Sequence, residues 1–393
     1  MWPPVIVESP RIEALRAAGP TALDRFWAEI ERDGSPLVEK DGDATLITFL
    51  WREREPVRDV LALVNKLVDR SDLARSRMRH MPGTDLWHLT YRVRDDWQAT
   101  YHLAPDDGSG DLRRAAANGV PDPLNPVTFP QERPPHKSVA AAPAATPEPR
   151  WWRPDPAGPA GIVDETTAGG RRVWRYRPPG HTADAGPYPL LVLLDGDLWA
   201  PLLPVAPILD NLIAAGRIPP VVALLPDGAD HATRSTEYAC HPGHAEFLAT
   251  LPGTAGRDLA PTTDPSRTVI AGQSLGGLMA AFTAMTHPNR FGNVLSQSGA
   301  FWWKSHTPGD EEAEWLAHHI AVTDRRPIRW HVEVGLDEWV TLRPNRHLRD
   351  VLLARGYPVT YAEFAGGHDR LCWRERLGDA LTNLFTEESF RYA

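Results

Sequence analysis

The stretch Thr268-Val269-Ile270-Ala271-Gly272-Gln273-Ser274-Leu275-Gly276-Gly277 places the pattern Gly-x-Ser-x-Gly between a short apolar run and an apolar helical run. A strand that passes directly into a helix needs a sharp turn, and Gly272 and Gly276 remove the side chains that would clash in it. Such a turn holds Ser274 at its tip, at the positive end of the helix. The stretch therefore predicts a nucleophilic serine after a buried strand. A glycine-rich turn with a capping serine is the alternative.

His368 is the residue whose position best suits a base for this serine. A serine hydroxyl is a weak nucleophile at neutral pH and needs such a base. The sequence Ala365-Gly366-Gly367-His368-Asp369 follows the strand-like run 359–364. Residues that follow parallel strands lie at the carboxyl edge of the sheet, where the serine turn also lies. The two glycines allow this loop to approach the serine closely, so we expect His368 to be the general base.

A carboxylate that accepts the second imidazole N–H would complete the set. The loop after the run 328–334 offers Asp337 and Glu338, both beyond Gly335. Their position in the loop does not choose between them. A Ser–His dyad, with both carboxylates as solvated loop charges, is a third reading.

Two backbone N–H groups are expected to stabilise the oxyanion of the transition state. One belongs to Leu275, which follows the nucleophile. The second normally comes from the loop after an early strand, here Leu193-Leu194-Asp195-Gly196-Asp197-Leu198-Trp199. We assign it to the N–H of Asp197, while Asp195-Gly196 also reads as a tight turn.

Strand-like and helical patterns alternate after residue 150. Apolar strand-like runs occupy 173–177, 190–194, 221–225, 268–271, 294–296, 328–334 and 359–364. Helical patterns occupy 202–215, 277–286, 311–320, 345–355 and 373–384. This alternation, with strands apolar on both faces, predicts a mostly parallel, doubly wound sheet covered by helices. With the serine turn, it predicts an α/β-hydrolase domain over residues 151–393.

Residues 1–150 follow a different pattern and predict a smaller, mainly antiparallel β-sandwich domain. The runs 86–94 and 97–103 alternate with a period of two on either side of Asp95-Asp96, which predicts a long hairpin. Residues 45–51 and 60–64 are further predicted strands. A short helical lead, capped by Thr21, is expected before them.

The division near residue 150 rests on proline, which is concentrated between Pro121 and Pro159. The stretch 138–147 has neither the helical nor the strand period, so it reads as an extended linker. Trp151 and Trp152 are expected to fix this linker to a domain.

Composition excludes several classes of protein. The 393 residues carry 42 Lys and Arg against 51 Asp and Glu, a formal charge of −9, which argues against a nucleic-acid-coating protein. The two cysteines, Cys240 and Cys372, are too few for a disulfide scaffold or a four-cysteine zinc site. No apolar run would span a membrane, and the N-terminus lacks the pattern of a signal peptide. We therefore expect a cytoplasmic protein that needs no cofactor or metal, of undetermined oligomeric state.

The motifs together resemble the enterochelin (enterobactin) esterases, within the esterase D group of α/β-hydrolases. The resemblance covers both domains and omits the linker. It rests on the segments 49–52, 82–87, 193–196, 271–277, 295–303 and 366–373, with Arg234 and 237–240. Two features depart from the family pattern: His241 stands where Asn is common, and 251–257 is richer in glycine than a continuous helix should be.

The resemblance implies hydrolysis of the ester bonds of a trilactone that carries catechol groups. This reaction would follow import of the ferric siderophore and release its iron in the cytoplasm. The family's acid position falls on Glu338, which favours Glu338 over Asp337.

A ferric tris-catecholate is an anion with aromatic flanks, so its pocket needs local positive charge and flat apolar walls. Arg77 and Arg79 of the first domain are candidate contacts for the catecholate oxygens, and a solvated basic face is the alternative. Trp199, Trp302 and Trp303 are candidate walls, with core packing as the alternative. Arg234 could orient the substrate or pair with Glu237.

Two further readings remain open at this point. One is a general feruloyl-type or acyl esterase of the same fold, which would not depend on the first domain. The other is a siderophore-binding protein whose catalytic site has lapsed, against which Ser274 and His368 argue.

Overall fold

The computed structural model describes residues 4–106, 108–132, 134–145, 150–304 and 312–386. The chain forms two compact units. The first comprises Met1–Pro147 together with Phe364–Cys372, and the second Glu148–Glu363 together with Trp373–Ala393.

The first unit is built mainly of antiparallel strands. Its strands are β1 (Val5–Val7), β2 (Leu37–Asp41), β3 (Ala44–Arg52), β4 (Val60–Val64), β5 (Arg79–His80), β6 (Leu86–Arg94), β7 (Gln98–Pro105), β8 (Thr128–Phe129) and β9 (Lys137–Ala141). Its helices are α1 (Pro10–Ala18), α2 (Pro20–Asp33) and α3 (Leu112–Ala117).

These strands form two sheets, with the orders β1-β6-β3-β2, where β5 pairs with β6, and β4-β7-β9-β8. Apolar side chains of both sheets meet in one core, which includes Phe49, Tyr91, Tyr101 and Leu103. The predicted β-sandwich is therefore confirmed.

The predicted hairpin of 86–94 with 97–103 is wrong. β6 pairs with β1, β3 and β5, whereas β7 pairs with β4 and β9 in the other sheet. The turn at Asp95-Asp96 therefore carries the chain from one sheet to the other, and Asp95 accepts a hydrogen bond from the Thr45 hydroxyl at 2.7 Å. Alternation of apolar residues identifies a strand with one buried face but not the strand that pairs with it.

The helical lead also differs from its prediction. It comprises two helices: Ser9 caps α1 by accepting the Ile12 N–H at 3.2 Å, and α2 begins at Pro20. Thr21 therefore lies inside α2 and does not cap it, because proline already suits the first helical position.

The second unit alternates strands and helices. Its strands are β10 (Ile162–Ala168), β11 (Arg171–Arg177), β12 (Leu190–Leu193), β13 (Val222–Pro226), β14 (Thr268–Gln273), β15 (Asn293–Gln297), β16 (Arg329–Gly335) and β17 (Val359–Phe364). Its helices are α4 (Gly196–Trp199), α5 (Ala206–Ala214), α6 (His231–Glu237), α7 (Pro242–Ala255), α8 (Leu275–Thr286), α9 (Trp315–Val322), α10 (Leu342–Ala354) and α11 (Arg370–Phe385).

The sheet has the order β10-β11-β13-β12-β14-β15-β16-β17. The pairs from β13 through β12, β14 and β15 to β16 are parallel, and β10 and β11 add an antiparallel edge. This arrangement confirms the predicted mostly parallel sheet. β10 was not predicted from the sequence, because much of this edge strand is exposed and lacks an apolar run.

Helix α7 corrects the expectation that 251–257 would interrupt a helix. It runs unbroken through Pro252 and Gly253 and ends before Gly256, because Leu248, Leu251 and Ala255 are buried on one face of it. His241, which replaces the common Asn, caps this helix by accepting the Gly243 N–H at its Nδ1, at 3.1 Å. Here tertiary burial outweighs local propensity.

The pattern at 311–320 forms α9, which begins at Trp315, and residue 311 lies outside the described part. The prediction of an extended linker over 138–147 is wrong for its first residues, because they belong to β9, which pairs with β7 and β8. Trp151 and Trp152 pack on α11, as expected: they donate to Asp379 and Glu375, at 3.1 and 2.7 Å. Within the described ranges, no helix combines the length and apolarity needed to cross a bilayer.

Candidate active site

Ser274 occupies a strained turn between β14 and α8. Its φ of 57° and ψ of −122° lie in a region that non-glycine residues rarely adopt. Its N–H donates to the Gln297 carbonyl at 3.0 Å, and its own carbonyl accepts from Ala300 at 2.9 Å. A Cβ on Gly272 would overlap the backbone of Gly276. The two motif glycines therefore allow the backbone approach that holds this turn.

The predicted oxyanion donors both lie in first turns of helices. Leu275 is the first residue of α8, so its N–H has no carbonyl one turn earlier in the helix to bond. Asp197 lies in the first turn of α4. Its carboxylate accepts the Gly228 N–H at 2.9 Å, and burial raises the pKa of that carboxyl.

The side chains of Asp195 and Arg234 form a bidentate ion pair. The Nε and Nη2 atoms of Arg234 lie 2.6 and 2.7 Å from the two carboxylate oxygens of Asp195. Burial disfavours the charged guanidinium, but its bonds and charge pairing with Asp195 outweigh this and raise the pKa of Arg234. Glu237, the partner considered for Arg234, instead binds Arg171 at 2.6 Å. A contact between Arg234 and substrate stays a prediction.

A chain of buried amides runs beneath the serine turn. Trp199 donates its indole N–H to Gln273 at 2.8 Å, and Gln273 donates to Gln297 at 2.8 Å. Gln297 donates in turn to Glu333 at 2.6 Å. Burial alone would raise the pKa of Glu333, but the charge of Arg376 and other contacts outweigh it and lower the pKa to about 2. This network fixes the residue that precedes Ser274.

Glu338 is fully buried, and donors hold its Oε1 atom. Ser298 donates its hydroxyl to this atom at 2.5 Å, and the Gly335 N–H donates at 2.9 Å. The Ser298 oxygen accepts the indole N–H of Trp373 at 2.9 Å. Asp337, the other candidate, is only partly buried. The second unit therefore holds the Glu338 carboxylate in a fixed orientation.

His368 lies in the segment Phe364–Cys372, which packs as part of the first unit. Its carbonyl oxygen accepts the side-chain N–H of Asn65 at 3.1 Å. Its role as the base for Ser274 stays a prediction.

Both arginines proposed to contact the siderophore have acidic neighbours on the first unit. Arg77 lies 3.5 Å from Asp59, and Arg79 lies 2.7 Å from Glu8. Their side chains are 47% and 61% exposed, so such pairs contribute little and can be exchanged for a ligand.

The three tryptophans considered as aromatic walls divide into two groups. Trp199 has no exposed surface, and its bond to Gln273 assigns it to the core beneath the turn, which corrects its prediction as a wall. Trp302 is 38% exposed, and its ring centre lies 4.7 Å from that of the half-buried Trp303. Trp339, 53% exposed and next to Glu338, is a further candidate wall that the sequence reading missed. Its position directly after the candidate acid Glu338 could have signalled it.

Both cysteines are buried free thiols, and burial raises the pKa of Cys240. Among the described residues, no group of three His, Cys, Asp or Glu side chains could hold a metal ion. The Nδ1 atom of His244 lies 3.3 Å from a carboxylate oxygen of Glu237.

Two family models match the chain. One, described as "Putative esterase", covers residues 165–384, and the other, described as "Enterochelin esterase, N-terminal", covers residues 46–152. An iron(III) enterobactin esterase from Dickeya dadantii is 33% identical, over 92% of this chain and 93% of its own. An iron(III) salmochelin esterase from Escherichia coli is 31% identical, over 93% of this chain and 94% of its own.

The chain belongs to the enterobactin esterase family. The crystal structure of ferric enterobactin esterase from Salmonella typhimurium aligns with a TM-score of 0.78 and 30% identity, over 93% of this chain and 99% of that one. That of enterobactin esterase from Shigella flexneri in the presence of enterobactin aligns with a TM-score of 0.75 and 28% identity, over 92% and 97%. The resemblance seen in the sequence is thus confirmed. The protein is an ester hydrolase with the α/β-hydrolase fold and an N-terminal antiparallel β domain.

Proposed function

We propose that this protein is a serine esterase that hydrolyses the ester bonds of a catecholate siderophore trilactone of the enterobactin type. The observation that carries the proposal is the strained turn of Ser274 at the start of α8, in a chain that aligns with enterobactin esterases over both of its domains. Holding Ser274 at a φ of 57° costs conformational free energy, and a serine that only capped the helix would have no reason to adopt this backbone conformation.

In the proposed mechanism, Ser274 Oγ attacks the ester carbonyl carbon while His368 takes the hydroxyl proton. The N–H groups of Leu275 and Asp197 stabilise the tetrahedral oxyanion. Collapse of this intermediate breaks the C–O bond, and His368 returns the proton to the departing serine hydroxyl of the substrate. Water then attacks the acyl-enzyme carbonyl carbon while His368 takes a proton from it, and collapse of the second tetrahedral intermediate breaks the bond to Ser274 Oγ, to which His368 returns the proton. Glu338 orients the imidazole and stabilises its charged form.

The proposed substrate contacts come from several loops. Arg77 and Arg79 would exchange their weak surface pairs for catecholate oxygens, which a trianionic ferric complex favours. Trp302 and Trp303 would supply an aromatic surface for the catechol rings. Arg234 would help to orient the substrate. We place the reaction in the cytoplasm, after import of the ferric complex, which agrees with two free cysteines.

Product analysis with the purified full-length chain tests this function. Ferric and iron-free enterobactin are incubated separately with the enzyme, and the trilactone and its linear products are separated by chromatography. We expect both trilactone loss and linear product, and no product from Ser274→Ala at unchanged thermal stability. Turnover of simple p-nitrophenyl esters alone would indicate a general esterase, and undiminished hydrolysis by Ser274→Ala would exclude the serine mechanism.

A further inference from the structure

The segment Phe364–Cys372, which carries His368, is held by the first unit. Along the chain it connects β17 to α11, but it packs with residues that precede the linker. Ala365 belongs to the core between the two sheets of the sandwich, and Arg370 pairs with Glu132 at 2.7 Å. The loop of the predicted base therefore has its packing partners more than two hundred residues away in sequence.

Asp369, the neighbour of His368, makes the central contact. Its Oδ2 atom accepts both the backbone N–H and the hydroxyl of Thr100, at 2.7 and 2.8 Å. Its Oδ1 atom accepts the Leu371 N–H at 3.1 Å. Asp369 and Thr100 are 4% and 1% exposed. A buried carboxylate is costly unless donors satisfy it, so these bonds fix Asp369 against β7.

The residues on the other side of His368 are fixed as well. The Asn65 amide donates to the His368 carbonyl at 3.1 Å. A Cβ on Gly367 would overlap the side chain of Lys66, and one on Gly366 would lie 3.0 Å from the Gln98 carbonyl oxygen. The two glycines thus allow the loop to lie directly against the first unit.

We propose that Thr100 and Asn65 are positioning residues for His368, so that the first domain sets the backbone of the catalytic base as well as contacting substrate. This inference rests on the proposed function. A general base must lie within hydrogen-bond reach of its proton, and a shift of about 1 Å can cost about 100-fold in rate. Removal of the first domain would then abolish turnover of every ester, not only of the siderophore.

Four substitutions in the full-length chain test the proposal, each assayed for kcat and KM on p-nitrophenyl acetate and for thermal stability. Thr100→Val removes the hydroxyl donor at nearly constant volume, and Thr100→Ser retains it. Asn65→Ala removes the bond to the His368 carbonyl. Thr90→Val is the matched control, since the Thr90 hydroxyl is equally buried in the same unit but bonds Thr48, at 3.0 Å.

We expect Thr100→Val to lower kcat about 10- to 100-fold with KM within about twofold. Thr100→Ser should stay within about threefold of wild type, and Thr90→Val should lose stability without losing kcat. If Thr100→Val does not fold, Asn65→Ala decides, with an expected loss of about 3- to 10-fold in kcat.

The outcomes separate this inference from the proposed function. Wild-type kcat in Thr100→Val, or an equal loss in Thr90→Val, would overturn the positioning role while Ser274→Ala remains inactive. Activity in Ser274→Ala would instead refute the proposed function itself.

Discussion

The turn of Ser274 and the loop of His368 are built in opposite ways. The turn is encoded locally: Gly272 and Gly276 pack backbone to backbone four residues apart. The His368 loop depends on β7, from which Thr100 reaches Asp369 across 269 positions. The position of the proposed nucleophile is thus set mainly by one short motif, whereas the loop of the proposed base depends on contacts with the N-terminal domain. A mutation should therefore disrupt the Ser274 turn through a steric clash within the motif. It should disrupt the His368 loop through loss of hydrogen bonds to residues that are distant in sequence.

Among the substitutions considered, Gly272→Ala should have the largest effect on the locally encoded Ser274 turn. The new Cβ would overlap the backbone of Gly276, which cannot move without unmaking the start of α8. We expect the free energy of unfolding to fall by more than about 4 kcal/mol, an exceptional loss for one methyl group, together with all esterase activity. Urea denaturation measures the first quantity and p-nitrophenyl acetate turnover the second.

Gly253→Ala is the matched control for that substitution. Gly253 lies inside α7, and a Cβ there would meet no atom within 4 Å. Alanine should therefore stabilise the protein by about 0.5–1 kcal/mol. Equal stability losses in the two variants would show that the serine turn has no special need for glycine.

Glu338→Gln tests whether the buried carboxylate of the second unit acts as the acid of the proposed site. The amide keeps the shape of the side chain but cannot stabilise an imidazolium, so we expect kcat to fall about 10²- to 10³-fold at unchanged KM. Asp337→Asn, in the same loop, should stay within about threefold of wild type. Ser298→Ala, which removes a donor to Glu338, should cost about tenfold alone and almost nothing in the Glu338→Gln background.

Additive effects of Ser298→Ala and Glu338→Gln would mean that Ser298 acts independently of the carboxylate. A loss in Asp337→Asn as large as that in Glu338→Gln would reopen the choice of acid.

The same contrast explains what the sequence could and could not predict. The serine turn, the parallel sheet and the loop that carries Asp337 and Glu338 were predicted from motifs and apolar runs, because these are features of neighbouring residues. The preference for Glu338 over Asp337 came from the family resemblance. The pairing of β6 and the contact between Thr100 and Asp369 could not be predicted, since periodicity does not reveal which distant segment a strand or loop meets. Trp199 shows the same limit: its place in the chain suggested a wall, and its burial assigns it to the core.

A smaller effect concerns pH and the core of the second unit alone. Burial, with the nearby charge of Arg171, lowers the pKa of His244 to about 3. In the unfolded chain this histidine titrates near about 6.5, so between these values the unfolded state binds a proton that the folded state does not. As the pH falls from about 6.5 to about 3, proton uptake by His244 in the unfolded chain therefore lowers the free energy of unfolding, by about 3–5 kcal/mol in total.

His244→Phe removes this proton uptake and retains a ring near Tyr238 and Phe247, whose ring centres lie 5.3 and 5.5 Å from that of His244. The variant loses the contact with Glu237, so it should be less stable than wild type at pH 7. Its unfolding free energy should then decline less steeply on acidification, which urea titrations at pH 7, 5.5 and 4.5 can measure. Parallel declines in the two proteins would mean that His244 accepts a proton in the folded state, and that the acid sensitivity of the second unit arises elsewhere.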